Sequence, residues 1–193
     1  DKYEVLLAKD LVRATEMSDV LKEVAAPAEK MNLLKMQQND GYTVLHYAQN
    51  ADEIKGLLEG IDQANKIELL NIKDTKNNTP LHRAETPEKM GALLDGIDDK
   101  NEVVRLLTTK NDEEKTALES LDPKELEGLL NNLGLSNEQK LTVLKEMSEE
   151  GQEAESAKTL IDKITIEEKL VKLDKTDGKG ITPLHTVNGD IAK

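Results

Sequence analysis

The residues best suited to chemistry in this chain are its three histidines, His46, His82 and His185, because an imidazole can serve as base, acid or metal ligand near neutral pH. Each closes the same four-residue pattern: Thr43-Val44-Leu45-His46, Thr79-Pro80-Leu81-His82 and Thr182-Pro183-Leu184-His185. One histidine per repeat points away from catalysis and from metal binding. Both need their groups to converge, whereas equivalent positions of a repeat array are spread along its axis. The carboxylate pairs Glu149-Glu150 and Glu167-Glu168 offer the elements of acid and base work, but a strongly acidic chain carries such pairs on solvated helix faces as a matter of course. Asp174 to Gly180 has the start of a calcium loop. Lys179 and His185 stand where that loop needs its central glycine and its closing glutamate. Gly178-Lys179-Gly180 lacks the longer glycine loop and the following Lys-Ser or Lys-Thr of a phosphate cradle. Asn77-Asn78-Thr79 is formally a glycosylation acceptor, yet its threonine is placed to cap a helix and proline follows. No catalytic residue, metal ligand or cofactor site is expected.

Composition narrows the partners. Asp and Glu outnumber Lys and Arg by 39 to 26, a formal charge of -13, which repels phosphate backbones and anionic lipid surfaces. With three tyrosines and no Phe or Trp, the chain has little to stack on bases or to cage a ligand, and its core must be aliphatic. Nucleic acid and membrane are therefore not expected partners. The absence of cysteine fits a reducing compartment, and the first residues lack the layout of a signal peptide, so a cytoplasmic location is expected. The chain opens without methionine and stops just after a repeat motif, as a piece of something longer would.

The histidines belong to a repeat, and the repeat implies the elements that must hold them. Thr43 to Ala48 recurs as Thr79 to Ala84 and, eroded, as Thr116-Ala117-Leu118-Glu119-Ser120-Leu121. Leucine pairs keep step with the threonines: Leu57-Leu58, Leu93-Leu94 and Leu129-Leu130 after them, Leu33-Leu34, Leu69-Leu70 and Leu106-Leu107 before them, with Leu173 in that register before Thr182. Threonine followed by proline reads as a helix start, with the hydroxyl capping free N–H groups. A second start follows at Asn50, Thr86 and Asp122, and that helix should run to the leucine pair. Gly60 and Gly96 then terminate it, a third short helix ends at the other leucine pair, and a polar turn leads to the next threonine. Three short helices per unit are expected. The approximate units are 1-35, degenerate; 36-71; 72-109; 110-147; 148-173, degenerate; and 174-193, incomplete. Within the weakest stretch, 131 to 173, Thr142-Val143-Leu144 reads as a remnant of the opening motif. Ser156 to Leu173 there repeats the leucine and isoleucine pattern of a second and third helix.

These residues resemble the ankyrin-repeat family, whose unit opens with Thr-Pro-Leu-His-x-Ala after an Asp-x-x-Gly-x turn. Asp177, Gly180 and Thr182 to His185 match best; Asp74, Asn77 and Thr79 to Ala84 match with asparagine in place of glycine; Gly41 with Thr43 to Ala48 lacks the aspartate and the proline. The period, 36 to 37 residues, exceeds the family's ~33 by the added short helix. The resemblance implies an all-α solenoid of ankyrin-like repeats with degenerate terminal units. The alternative fold is a three-helix solenoid of the armadillo or HEAT kind. The ankyrin resemblance further implies that each imidazole bonds its motif threonine and the adjoining turn, a structural role for Thr43, His46, Thr79, His82, Thr182 and His185.

The function that the resemblance implies is binding of a partner protein on the concave face, through turn tips and first helices. By register, Tyr42, Lys76, Asn77 and Lys179 fall at tips, and Tyr47, Arg83, Glu85 and Thr186 on first helices. Tyr42, Tyr47 and Arg83 are the residue types that anchor interfaces, and the acidic surface favours a basic partner. Lysine exceeds arginine 23 to 3, the usage of an AT-rich genome, which with the resemblance raises the expectation of a secreted bacterial effector acting in a host cytosol. The competing readings are a substrate-targeting region of a larger enzyme and an architectural spacer.

Overall fold

The computed structural model describes residues 21, 27–147 and 152–174. Regular structure among them is entirely helical. Eight α-helices, α1 (Pro27–Lys35), α2 (Ala51–Leu58), α3 (Gln63–Leu70), α4 (Pro87–Leu94), α5 (Lys100–Leu107), α6 (Pro123–Asn132), α7 (Asn137–Glu146) and α8 (Gln152–Asp174), are joined by three single 3-10 turns at Val44–Tyr47, Pro80–Arg83 and Ala117–Ser120. The order 3-10 turn, helix, helix occurs three times.

Local chemistry sets these lengths. The helices after the motif begin where polar side chains accept a free N–H: Asn50 from Glu53, Thr86 from Lys89, and Asp122 from Lys124 and Glu125. Pro87 and Pro123, at the first helical position, have no N–H to leave unpaired. Gly60, Gly96 and Gly134 follow the helix ends with positive φ, and the next helix is capped two residues later by Asp62, Ser136 or, three later, Asp99. The motif segment is one turn of 3-10 helix and not the short α-helix that its threonine cap predicts. The next cap lies only seven residues after Thr43 and Thr79, and one turn fills that space.

Packing is by kind. The 3-10 turns contact one another in succession; α2 packs on α4 and α4 on α6; α1 packs on α3, and α5 on α7. The leucine pairs face inward, with Leu57, Leu69, Leu70, Leu81, Leu107 and Leu118 fully buried in one aliphatic core. Ala48 and Ala84 are buried beside the motif leucines, where a larger side chain would hold the neighbouring turn away.

The stretch after α7 departs from the sequence reading. Thr142 does not open a unit: it lies inside α7 and donates its hydroxyl to the Glu138 carbonyl at 3.0 Å, as an interior helical threonine does. The leucine and isoleucine pattern from Ser156 to Leu173 belongs to one helix, α8, and not to two, because residues 152–174 contain neither glycine nor proline to stop it. Its first half packs on α6 and α7, burying Ala157, Leu160 and Ile164, while Ile166, Leu170 and Val171 are exposed.

Candidate protein-binding face

Each of the three described motifs is preceded by a five-residue reverse turn, and these turns, 38–42, 74–78 and 111–115, are congruent. In each the first N–H donates to the fifth carbonyl and the fourth N–H to the first carbonyl: Gln38 and Tyr42 with Gly41, Asp74 and Asn78 with Asn77, Asn111 and Lys115 with Glu114. The fourth position has positive φ in all three, at Gly41, Asn77 and Glu114. Glycine is required at the first: a Cβ on Gly41 would lie 2.9 Å from the backbone of Asp74 and Thr75 in the next turn. Thr75 N donates to Asp40 O at 3.0 Å and Asp112 N to Lys76 O at 3.1 Å, so the tips are bonded tip to tip.

The histidines tie each turn to its successor. Nδ1 of His46 accepts the Thr43 N–H at 3.1 Å and lies 2.9 Å from the Thr43 hydroxyl, which puts the ring proton on Nε2, 3.2 Å from the Asn78 carbonyl. His82 repeats this with Thr79 and the Lys115 carbonyl, at 3.1 Å to each backbone partner. Burial holds both imidazoles below their ordinary pKa, the carbonyl contacts opposing it. In the third motif Glu119 Oε1 accepts the Thr116 N–H at 3.0 Å.

Asp74 organises the middle turn. Its buried carboxylate accepts the Lys76 and Asn78 N–H groups, each at 2.8 Å, the Asn78 amide, and Arg83 Nη2 at 2.8 Å. Burial alone would raise its pKa, but the Arg83 guanidinium and the Asn78 and Lys76 donors outweigh that and leave it at about 2. Asn111 Nδ2 donates to Asn78 Oδ1 at 2.8 Å and carries the polar chain into the third turn.

The three residue types singled out as anchors meet in one place. The Arg83 guanidinium lies 4.7 Å from the centroid of the Tyr42 ring, and the Tyr47 ring centroid is 5.0 Å from that of Tyr42. Tyr42 also stacks on His46, at 5.3 Å. Tyr47 donates its hydroxyl toward Asp40 at 2.8 Å and Gln38 at 3.0 Å. All three side chains are half-buried. Tyr42 is not at a turn tip, as register places it, but at the turn's last residue, with its ring laid under Arg83 from the next unit. Lys76 and Asn77 do occupy a tip and are exposed, Asn77 donating to Asp112 of the next turn at 2.5 Å. Glu85 is exposed just beyond the second 3-10 turn, at φ 50°. Lys179, Thr182, His185 and Thr186 lie outside the described residues. Register did not count Asp74 or Asp40 among the site residues, although these carboxylates hold Arg83 and Tyr47. The aspartate of the turn pattern was the signal for Asp74.

Among the described residues no group of three or more histidine, aspartate or glutamate side chains could hold a metal ion, and no helix is long and apolar enough to cross a membrane. The chain matches no family model, no curated protein and no solved structure.

Proposed function

We propose that this chain is a protein-binding module, a solenoid of ankyrin-like repeats whose partner docks across the turns and the 3-10 segments. The observation that carries the reading is the Tyr42, Tyr47 and Arg83 cluster. Two tyrosines and an arginine stand half-exposed on one face, each already held by an intramolecular partner, so a ligand meets them without the ordering cost of free side chains. Asp40, bonded to Tyr47, and Glu85, two residues after Arg83, are exposed beside the cluster, and with the chain's formal charge of -13 they favour a basic partner surface and salt-sensitive association.

The test is capture of partners from bacterial and eukaryotic lysates by the wild-type chain and by two variants of matched helicity. One is Tyr42→Ala, Tyr47→Ala, Arg83→Ala. Because losing Arg83 strips the buried Asp74 of its counter-charge, the second variant, Tyr47→Ala, Lys76→Ala, Glu85→Ala, changes only half-exposed and exposed residues. A specific partner lost by both variants supports the face. A partner bound equally by wild type and both variants refutes it.

A further inference from the structure

The anchors of the turn face rest on an imidazole. The His46 ring stacks on Tyr42, with centroids 5.3 Å apart and planes inclined by 25°, and the same Tyr42 ring carries the Arg83 guanidinium at 4.7 Å. Tyr42 is also the residue directly before Thr43, whose N–H His46 accepts. His82 carries no such load: in its register Asn78 stands where Tyr42 does, and Ser120 stands where Arg83 does. The ionisation of one histidine therefore bears on the face, and that of the other does not.

Both nitrogens of His46 are committed in the neutral ring, Nδ1 to the Thr43 N–H and Nε2 to the Asn78 carbonyl. A proton taken up at Nδ1 leaves the Nε2 bond intact and reverses the other end. Two N–H groups then face each other, and the Thr43 N–H, on a residue only 1% exposed, has no acceptor. The ring has to turn away from Thr43 about its bond to Asn78, and the side chain stacked on it is Tyr42. Burial opposes the imidazolium most. Of the charged groups that face the ring, Asp74 in turn 74–78 and Asp40 in turn 38–42 favour the cation, and Arg83 on the second 3-10 segment opposes it. Both carboxylates are already engaged, Asp74 by Arg83 and Asp40 by Tyr47, and the balance leaves the ring neutral until the pH is below 6.5. Asp74, at about 2, is still ionised there, so Arg83 keeps its ion pair while Tyr42 moves.

We infer that His46 is an acid-operated latch on the turn face: once protonated it unseats Tyr42 and takes the cluster with Tyr47 and Arg83 apart while the helices stay folded, which confines docking there to neutral pH. The inference rests on the reading of this face as a docking surface. Its test needs no partner, so a latch that does not move and a face that binds nothing are told apart.

The experiment is an NMR titration of the ¹³C,¹⁵N-labelled 193-residue chain from pH 7.5 to 4.5, with far-UV circular dichroism at each point. The His46 ring, the Tyr42 ring and the Thr43 amide should shift together in one step with its midpoint below pH 6.5, while the helical signal stays constant. His46→Gln supplies a cap that does not titrate, as Glu119 Oε1 accepts the Thr116 N–H in the third motif, and should hold the Tyr42 resonances still across the range. His82→Gln should leave the step in place. A Tyr42 ring that stays put while His46 titrates, a step that persists in His46→Gln, or loss of helix in the same step would each overturn the proposal. The first and third are read on the wild-type chain, so they decide the matter even where a variant does not fold.

Discussion

The second and third motifs reach the same backbone by different chemistry. His82 and Glu119 both close a capping box on the threonine three residues earlier, and both sit in a single 3-10 turn. An imidazole has a second nitrogen, and His82 uses it to donate to the Lys115 carbonyl of the next turn. A carboxylate has no proton to offer a carbonyl at neutral pH. The Glu119 carboxylate cannot donate to a carbonyl and so does not repeat that bond, and among the described residues α7 is followed by the long helix α8. In the second motif one imidazole performs two tasks, capping its own unit and donating a proton to the backbone of the next.

The largest effect should come from breaking the joining directly. Gly41→Ala forces a Cβ to within 2.9 Å of the Asp74 backbone at a residue with φ 81°, whereas Gly60→Ala meets the same conformational penalty, at φ 72°, in open space. Urea denaturation should show a loss of about 3 kcal/mol for the first and about 1 kcal/mol for the second. Equal losses would mean that contact between successive turns contributes little.

The histidine can then be compared with a simple cap by removal. His82→Ala leaves the Thr79 N–H and the Lys115 carbonyl without their partner, so about 2 kcal/mol should be lost; Asn50→Ala removes one local cap and should cost about 1 kcal/mol. Equal costs would show that the tie to the next turn adds nothing to the cap.

Titration sharpens the same contrast. Burial lowers the pKa of His46 and His82 below 6.5, so the unfolded chain takes up protons first; their contribution is fully present above pH 6.5 and lost as pH falls through the folded-state values. Asp74, lowered from 3.8 to about 2, contributes above pH 3.8 and loses that contribution only as pH falls toward 2. Stability should decline in two separate windows. Replacing His82 by glutamate, the residue of the third motif, should shrink the first window and leave the second in place, read from urea midpoints between pH 7.5 and 2.

How much of this could be read beforehand depended on the range of the interaction. Helix starts at Asn50, Thr86 and Asp122 and stops at Gly60 and Gly96 are local chemistry, and the helices begin and end there. The leucine pairs report burial directly. Long-range contacts were hidden: that Lys66 reaches a carbonyl 29 residues away follows only once the units are packed on one another. Register placed Tyr42 at a tip because it cannot foresee that Arg83, from the following unit, lies over its ring. The region after Met147 misled for a different reason. A leucine and isoleucine period looks the same in one long helix as in two short ones, and what distinguishes them is a missing glycine.

The smallest effect should be a gain. The fourth turn position is glycine in the first turn, asparagine in the second and glutamate in the third, with φ of 81°, 58° and 58°. Asparagine tolerates this left-handed region through local hydrogen bonds, and Asn77 is further held by Asp112; glutamate has neither advantage. Glu114→Gly should therefore stabilise the chain by about 0.5 to 1 kcal/mol, set against the extra freedom that glycine gives the unfolded chain, while Asn77→Gly should be neutral or slightly destabilising. If urea midpoints rank these two the other way, the third turn is not strained at Glu114, and the congruence of the three turns has cost this unit nothing.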